Sequence, residues 1–144
     1  MTVGFIGLGN VGGKLAGSLL RNGMDLSVHD LNAAFVAAQL MQDCDAVITC
    51  LPSPAACDAV VSEMLPHVGA GKIWMEMSTT DASEVKRLGA LVLAAGGEAV
   101  DCPVSGGCHR ADTGNISIYA GCTRATFDKV LPILTHMGRR ILHV

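Results

Sequence analysis

The sequence predicts a doubly wound α/β domain on a mostly parallel sheet, and three observations carry that prediction. Short apolar runs alternate along the chain with stretches of helical periodicity, the pattern that builds a parallel sheet with helices on both faces. The run at 46–51, A-V-I-T-C-L, reads as one apolar block, as a strand covered on both sides must. The first run, with Val3, Phe5 and Ile6, enters G-L-G-N-V-G at 7–12, and Leu15, Ala16, Leu19 and Leu20 follow at helical spacing. That is strand, tight turn and helix in succession.

The elements follow in order. Gly23 is the expected left-handed stop of the first helix, because glycine tolerates positive φ. Residues 26–30 read as a second strand and 31–41 as an Ala-rich helix capped by Asn32. Pro52 and Pro54 end the strand at 46–51, and 55–65 is helical, packing through Val60, Val61, Met64 and Leu65. A strand at 72–77 precedes Asp81 and Glu84, a D-x-x-E spacing that resembles a capping box and opens a helix to Ala95,. Strands at 99–102, 116–120 and 140–144 and a helix at 126–137 complete the chain. Between Asp30 and Ala46 lie 15 residues, room for one helix and a turn. Either a single crossover joins those strands, or residues are absent near Leu40-Met41.

Composition narrows the function classes. Half the residues are hydrophobic and 16% are charged, which favours a packed core over disorder. A net charge of −3 and few aromatic residues leave neither the basic footprint nor the stacking platforms of a nucleic-acid binder. The six cysteines contain no C-x-x-C pair and read as small buried hydrophobes. No basic-then-apolar leader opens the chain and no apolar run nears a bilayer span, so a soluble, cytoplasmic protein without membrane contact is expected. His67, His109, His136 and His143 are not at metal-ligand spacing, and no metal site is expected.

The glycine turn has a specific chemistry. Gly7 permits the turn, Gly9 lets the backbone approach a pyrophosphate, and Gly12 lets the helix pack closely. The pyrophosphate would meet the unpaired N–H groups of the helix start, with Asn10 and Val11 beside it. Asp30, 23 residues beyond Gly7, stands near the spacing of about 20 at which an acid takes the adenosine ribose hydroxyls. Its charge repels a 2′-phosphate, which favours NAD over NADP. In an open parallel sheet ligands gather past the carboxyl ends of the strands. Leu51-Pro52, Ser78-Thr79 and 103–107 stand there too, and Ser105, Gly106 and Gly107 can form an anion-binding turn.

Five stretches in order resemble the β-hydroxyacid dehydrogenase family, which includes 3-hydroxyisobutyrate dehydrogenase and tartronate semialdehyde reductase. They are G-F-I-G-L-G-N-V-G at 4–12, V-I-T-C-L-P at 47–52, M-S-T at 77–79, D-C-P-V-S-G-G at 101–107 and M-G-R-R-I-L-H-V at 137–144. The resemblance implies that residues 1–144 are that family's N-terminal, Rossmann-like NAD(P)-binding domain. Asn10, Val11 and Asp30 would hold the adenosine and pyrophosphate side, and Leu51, Pro52 and Thr79 the nicotinamide half. Ser105, Gly106 and Gly107 would bind the carboxylate of a small β-hydroxy acid undergoing reversible hydride transfer.

Three departures qualify it. Val11 replaces a methionine, and the segment between Asp30 and Ala46 lacks a strand and helix. The family's catalytic lysine, on an all-helical domain that also forms the homo-oligomer, would lie beyond Val144. Lys14, Lys72, Lys86 and Lys129 match no such motif, so no catalytic residue is assigned within the chain. The alternative is a non-catalytic NAD-binding or assembly module.

Overall fold

A computed structural model describes residues 1–29 and 36–144. Asp30, the Asn32 cap and the first half of the helix expected at 31–41 lie outside the described residues. Val3–Ile6 (β1), Leu26–His29 (β2), Ala46–Thr49 (β3), Ile73–Glu76 (β4) and Glu98–Asp101 (β5) form one sheet in the order β2-β1-β3-β4-β5. Every neighbouring pair is parallel. The chain moves from β1 to β2 on one side, then returns through Val36–Asp43 (α2) to place β3 on the other. The sheet therefore reverses direction at β1, where the glycine turn begins, and such a switch point opens a crevice.

Alternation along the strands divides the core in two. Val3, Phe5, Ala46, Ile48, Ile73 and Met75 pack with Asn10–Arg21 (α1) and Arg124–Leu134 (α6) on one face. Ile6, Val47 and Trp74 pack with α2, Pro54–Met64 (α3) and Ala82–Ala94 (α4) on the other. Helices thus cover both faces, as expected of a doubly wound sheet.

The strands after Asp101 depart from the expectation of one continuous alternation. Val104–Ser105 (β6), Ile116–Ala120 (β7) and Gly138–His143 (β8) make a second sheet, antiparallel between β6 and β7 and parallel between β7 and β8. Asp101 and Gly121 exchange two backbone hydrogen bonds, at 3.1 and 2.7 Å, and stitch the sheets together. β6 and the helix Gly107–Asp112 (α5) were not expected from the sequence. Two residues of strand and six of helix are too short to show a period.

Helix ends follow their caps. Ser53 accepts from the Ala56 N–H at 3.1 Å and Pro54 opens α3, so that helix starts before 55. Thr123 accepts from the Thr126 N–H at 3.2 Å, moving α6 forward to Arg124–Leu134 rather than 126–137. The box read at Asp81 and Glu84 is half formed. Asp81 accepts from Ser83, while Glu84 pairs with Arg87 instead of reaching back. β8 starts two residues early because Gly138 pairs with Ile116, and a methyl group there would lie 2.5 Å from the Ile116 carbonyl oxygen.

Candidate functional site

The described site starts at the turn from β1 into α1. Gly7 has φ +101°, and a methyl group on it would lie 2.1 Å from the Cys50 carbonyl oxygen. A methyl group on Gly12 would lie 2.0 Å from the Gly7 carbonyl oxygen, so α1 sits hard against its own turn. Gly9 differs: a methyl group there would meet nothing within 4 Å. Its missing side chain leaves room on the open side of the turn, the space a pyrophosphate needs. Gly9 also provides no side-chain cap for α1, whose first turn has no acid. By contrast, Ser53, Asp81 and Thr123 cap α3, α4 and α6. The first N–H groups of α1 thus remain available to an anion.

These residues form one wall of a cleft of about 580 Å³. Gly7, Gly9, Asn10, Val11 and Gly12 line it together with Leu51 and Pro52 after β3 and Thr79 after β4. Val104 reaches it from the second sheet and Gly107 from the start of α5. Ser105 is exposed on β6, and Gly106 (φ +134°) and Gly107 (φ +74°) turn the chain into α5. Of the residues expected to bind a dinucleotide, Asp30 alone lies outside the described residues.

Sequence reasoning missed the support beneath this cleft. Glu76, at the end of β4, is completely buried. Its Oε1 accepts from the Ser78 N–H at 2.6 Å, and its Oε2 accepts from the Thr49 hydroxyl at 3.0 Å. Trp74 Nε1 donates to Thr49 Oγ1 at 2.9 Å, and the Leu51 N–H donates to Ser78 Oγ at 2.7 Å. The network ties the loops after β3 and β4 together at the cleft floor. A glutamate within I-W-M-E-M was the available signal, since a buried carboxyl demands partners.

The thiols near this floor are inert acids. Burial, reinforced by Glu76, pushes Cys50 up to about 11 and Cys57 up to about 12. Burial also raises the Asp101 carboxyl. Among the described residues, no group of three His, Cys, Asp or Glu side chains could hold a metal ion. No described helix is long and apolar enough to cross a membrane.

Known proteins match this arrangement along the chain. A family model described as the NAD binding domain of 6-phosphogluconate dehydrogenase matches residues 2–144. The 2-(hydroxymethyl)glutarate dehydrogenase of Eubacterium barkeri is 33% identical over 158 residues, covering 99% of this chain and 52% of that protein. A mitochondrial 3-hydroxyisobutyrate dehydrogenase of Drosophila melanogaster is 34% identical over 155 residues, covering 98% and 48%. The chain spans about half the length of these relatives. A Mycobacterium tuberculosis 3-hydroxyisobutyrate dehydrogenase structure superimposes with a TM-score of 0.89 at 23% identity, covering 99% of this chain and 53% of that one. At that identity the likeness shows the fold.

Proposed function

Because the chain belongs to the family of the NAD binding domain of 6-phosphogluconate dehydrogenase, we propose that it forms the cofactor half of a dehydrogenase for small β-hydroxy acids. The observation that carries the reading is the glycine turn at the sheet's reversal point, open at Gly9 and closed at Gly7 and Gly12. It fits a dinucleotide because the one open glycine stands where a pyrophosphate must approach backbone.

In this reading Gly7, Gly9, Asn10, Val11 and Gly12 hold the pyrophosphate, and Asp30 takes the adenosine ribose, which favours NAD over NADP. Leu51, Pro52 and Thr79 flank the nicotinamide. Ser105, Gly106 and Gly107 hold the substrate carboxylate. When bound, the nicotinamide supplies a hydride acceptor for the carbinol carbon. The chain's own residues orient both molecules, and the apolar walls at Val11, Leu51 and Met77 limit water beside the reacting carbon. The proton leaving the hydroxyl goes to a lysine on a helical domain beyond Val144, which also joins the subunits as a homo-oligomer. The names of the two relatives support a hydroxy-acid substrate: one is a dehydrogenase of 2-(hydroxymethyl)glutarate and the other of 3-hydroxyisobutyrate.

Titration calorimetry with NAD and NADP, followed by an assay of nicotinamide reduction with a panel of β-hydroxy acids, tests the reading. Saturable NAD binding and reduction with one of the acids are expected. Binding without reduction by the full-length protein would replace the enzyme with a non-catalytic NAD-binding module. No saturable binding of either dinucleotide would overturn the cofactor site.

A further inference from the structure

Three arginines from two elements converge beside the second sheet. His109 and Arg110 of α5 and Arg139 and Arg140 of β8 line a cavity of about 360 Å³ with Thr113 and Asn115, and no acidic side chain contributes to its walls. Among the described residues, none of the three arginines forms an ion pair. Guanidinium groups stay charged at every physiological pH, and like charges held together without a counter-ion repel. In a chain of net charge −3, that concentration of cations makes a local field for an anion.

The backbone is shaped to bring them together. Ile116 pairs with Gly138 and Ser117 with Arg140, so Arg139 is an extra residue without a partner on β7. Regular alternation would send Arg139 and Arg140 to opposite faces. The bulge instead turns both toward one cavity,. Ser117 also pairs with Ser105 on β6, which places Ser105, Ser117 and Arg140 in one row. Arg110 approaches from α5. A methyl group on Gly106 would meet the Arg110 Cδ at 2.7 Å and Cβ at 3.3 Å, so the missing side chain makes room for the arginine stem. The cavity shares no lining residue with the cleft at the glycine turn.

We propose that this cavity is a second binding site, for a phosphate-bearing small molecule other than the nicotinamide cofactor. A carboxylate is planar, and a single guanidinium satisfies it in a two-pronged pair. A phosphate group carries about two charges near neutral pH and three acceptor oxygens, which donors from separate directions share. Arg110 from the helix and Arg139 and Arg140 from the strand supply those directions, with the planar forks that match phosphate geometry. Thr113 and Asn115 add polar walls. The volume lies within the range of small-molecule sites, so the cavity holds part of the molecule that carries the phosphate. The inference stands apart from the reading of the glycine turn.

The test is calorimetric titration of the full-length protein saturated with NAD, using pyrophosphate and acetate as probes. NAD occupies the start of α1, so a phosphate probe that still binds does so elsewhere. Pyrophosphate is expected to bind at one site per chain, at least about tenfold more tightly than acetate. R110Q, R139Q and R140Q should each weaken it at least about fivefold, and R140K should recover only part of the loss. All three arginines are exposed, so the variants should melt with the parent. Titration of Gly9→Ala without NAD should show the same arginine-dependent binding, which keeps failure of this site distinct from failure of the cofactor site. Acetate binding as tightly as pyrophosphate would overturn the phosphate class. Pyrophosphate binding that survives all three glutamine variants would overturn the placement, and no binding would overturn the site. A short DNA duplex that binds more tightly than pyrophosphate, and loses that binding in R140Q, would overturn the small-molecule ligand in favour of a polyanion.

Discussion

The Thr49 hydroxyl donates to Glu76 Oε2 at 3.0 Å, and both residues are completely buried beneath the cleft. Thr49 also accepts from Trp74, and Glu76 also accepts from the Ser78 N–H. Removing the carboxyl therefore strands two buried donors at once, the Thr49 hydroxyl and the Ser78 N–H. Glu76→Ala should cost about 3 kcal/mol in urea denaturation, while Glu76→Gln, which keeps an acceptor, should cost about 1 kcal/mol. NAD affinity should fall in the alanine variant, because Ser78 holds the Leu51 N–H. A loss well below 1 kcal/mol in Glu76→Ala would show that the network does not support the floor.

The turn glycines should separate folding from binding. Gly12→Ala places a methyl group against the Gly7 carbonyl oxygen, and Gly7→Ala adds a strained positive φ to a similar clash. Each should destabilise the fold by about 2–4 kcal/mol. Gly9→Ala meets open space and has extended backbone, φ −66° and ψ −165°. It should melt close to the parent yet bind NAD at least about tenfold more weakly, about 1.4 kcal/mol. Parent-like NAD affinity in Gly9→Ala would place the pyrophosphate elsewhere.

Cofactor choice is tested at Asp30. Asp30→Ala should weaken NAD by about 1–2 kcal/mol through lost charge-assisted hydrogen bonds. It should narrow the gap between NAD and NADP by removing a charge that opposes the 2′-phosphate. Unchanged affinities for both dinucleotides in calorimetry would remove Asp30 from the site.

Thiol chemistry should follow burial. With Cys50 pushed up to about 11 and Cys57 up to about 12, the reactive thiolate is scarce at pH 8, about one part in a thousand or fewer. Labelling of Cys50, which lines the cleft, should rise about tenfold per pH unit above neutrality and slow when NAD is bound. Rapid labelling at pH 7, read by mass spectrometry of peptides, would contradict this environment.

The Glu98 carboxyl is held below its ordinary 4.5 by Lys129 and then by Thr126. A depressed value means that the stabilisation is present above pH 4.5 and fades as the pH falls through the lowered one,. Glu98→Gln should therefore cost less than about 1 kcal/mol at pH 7, since the pair is partly exposed,. The difference from the parent should shrink in acid melts. A cost that stays constant down to strong acid would assign the loss to packing.

Much of the fold was legible in local pattern. The run at 46–51 pointed to a buried strand, and β3 is flanked on both sides with helices on both faces. Gly23, at φ +77°, ends α1 as its position implied. Shorter signals misled: the strand at 46–51 stops at Thr49, because Cys50 and Leu51 already turn over the cleft. The second sheet was not legible, because β6 has only two residues and its partner β7 lies beyond α5.

By itself, the sequence determined the parallel core, its glycine turn and the order of the loops that face the cleft. Those features depend on hydrophobic period and on glycines whose roles are local, and such constraints are written within a few neighbouring residues. Only the tertiary structure decided that Glu76 joins Thr49 to Ser78 and that Ser105, Ser117 and Arg140 share one row. The partners of a buried carboxyl and the register of distant strands depend on contacts across 27 residues in the first case and across separate strands in the second. No local period encodes those distances, and it is the packed sheet that converts them into a site.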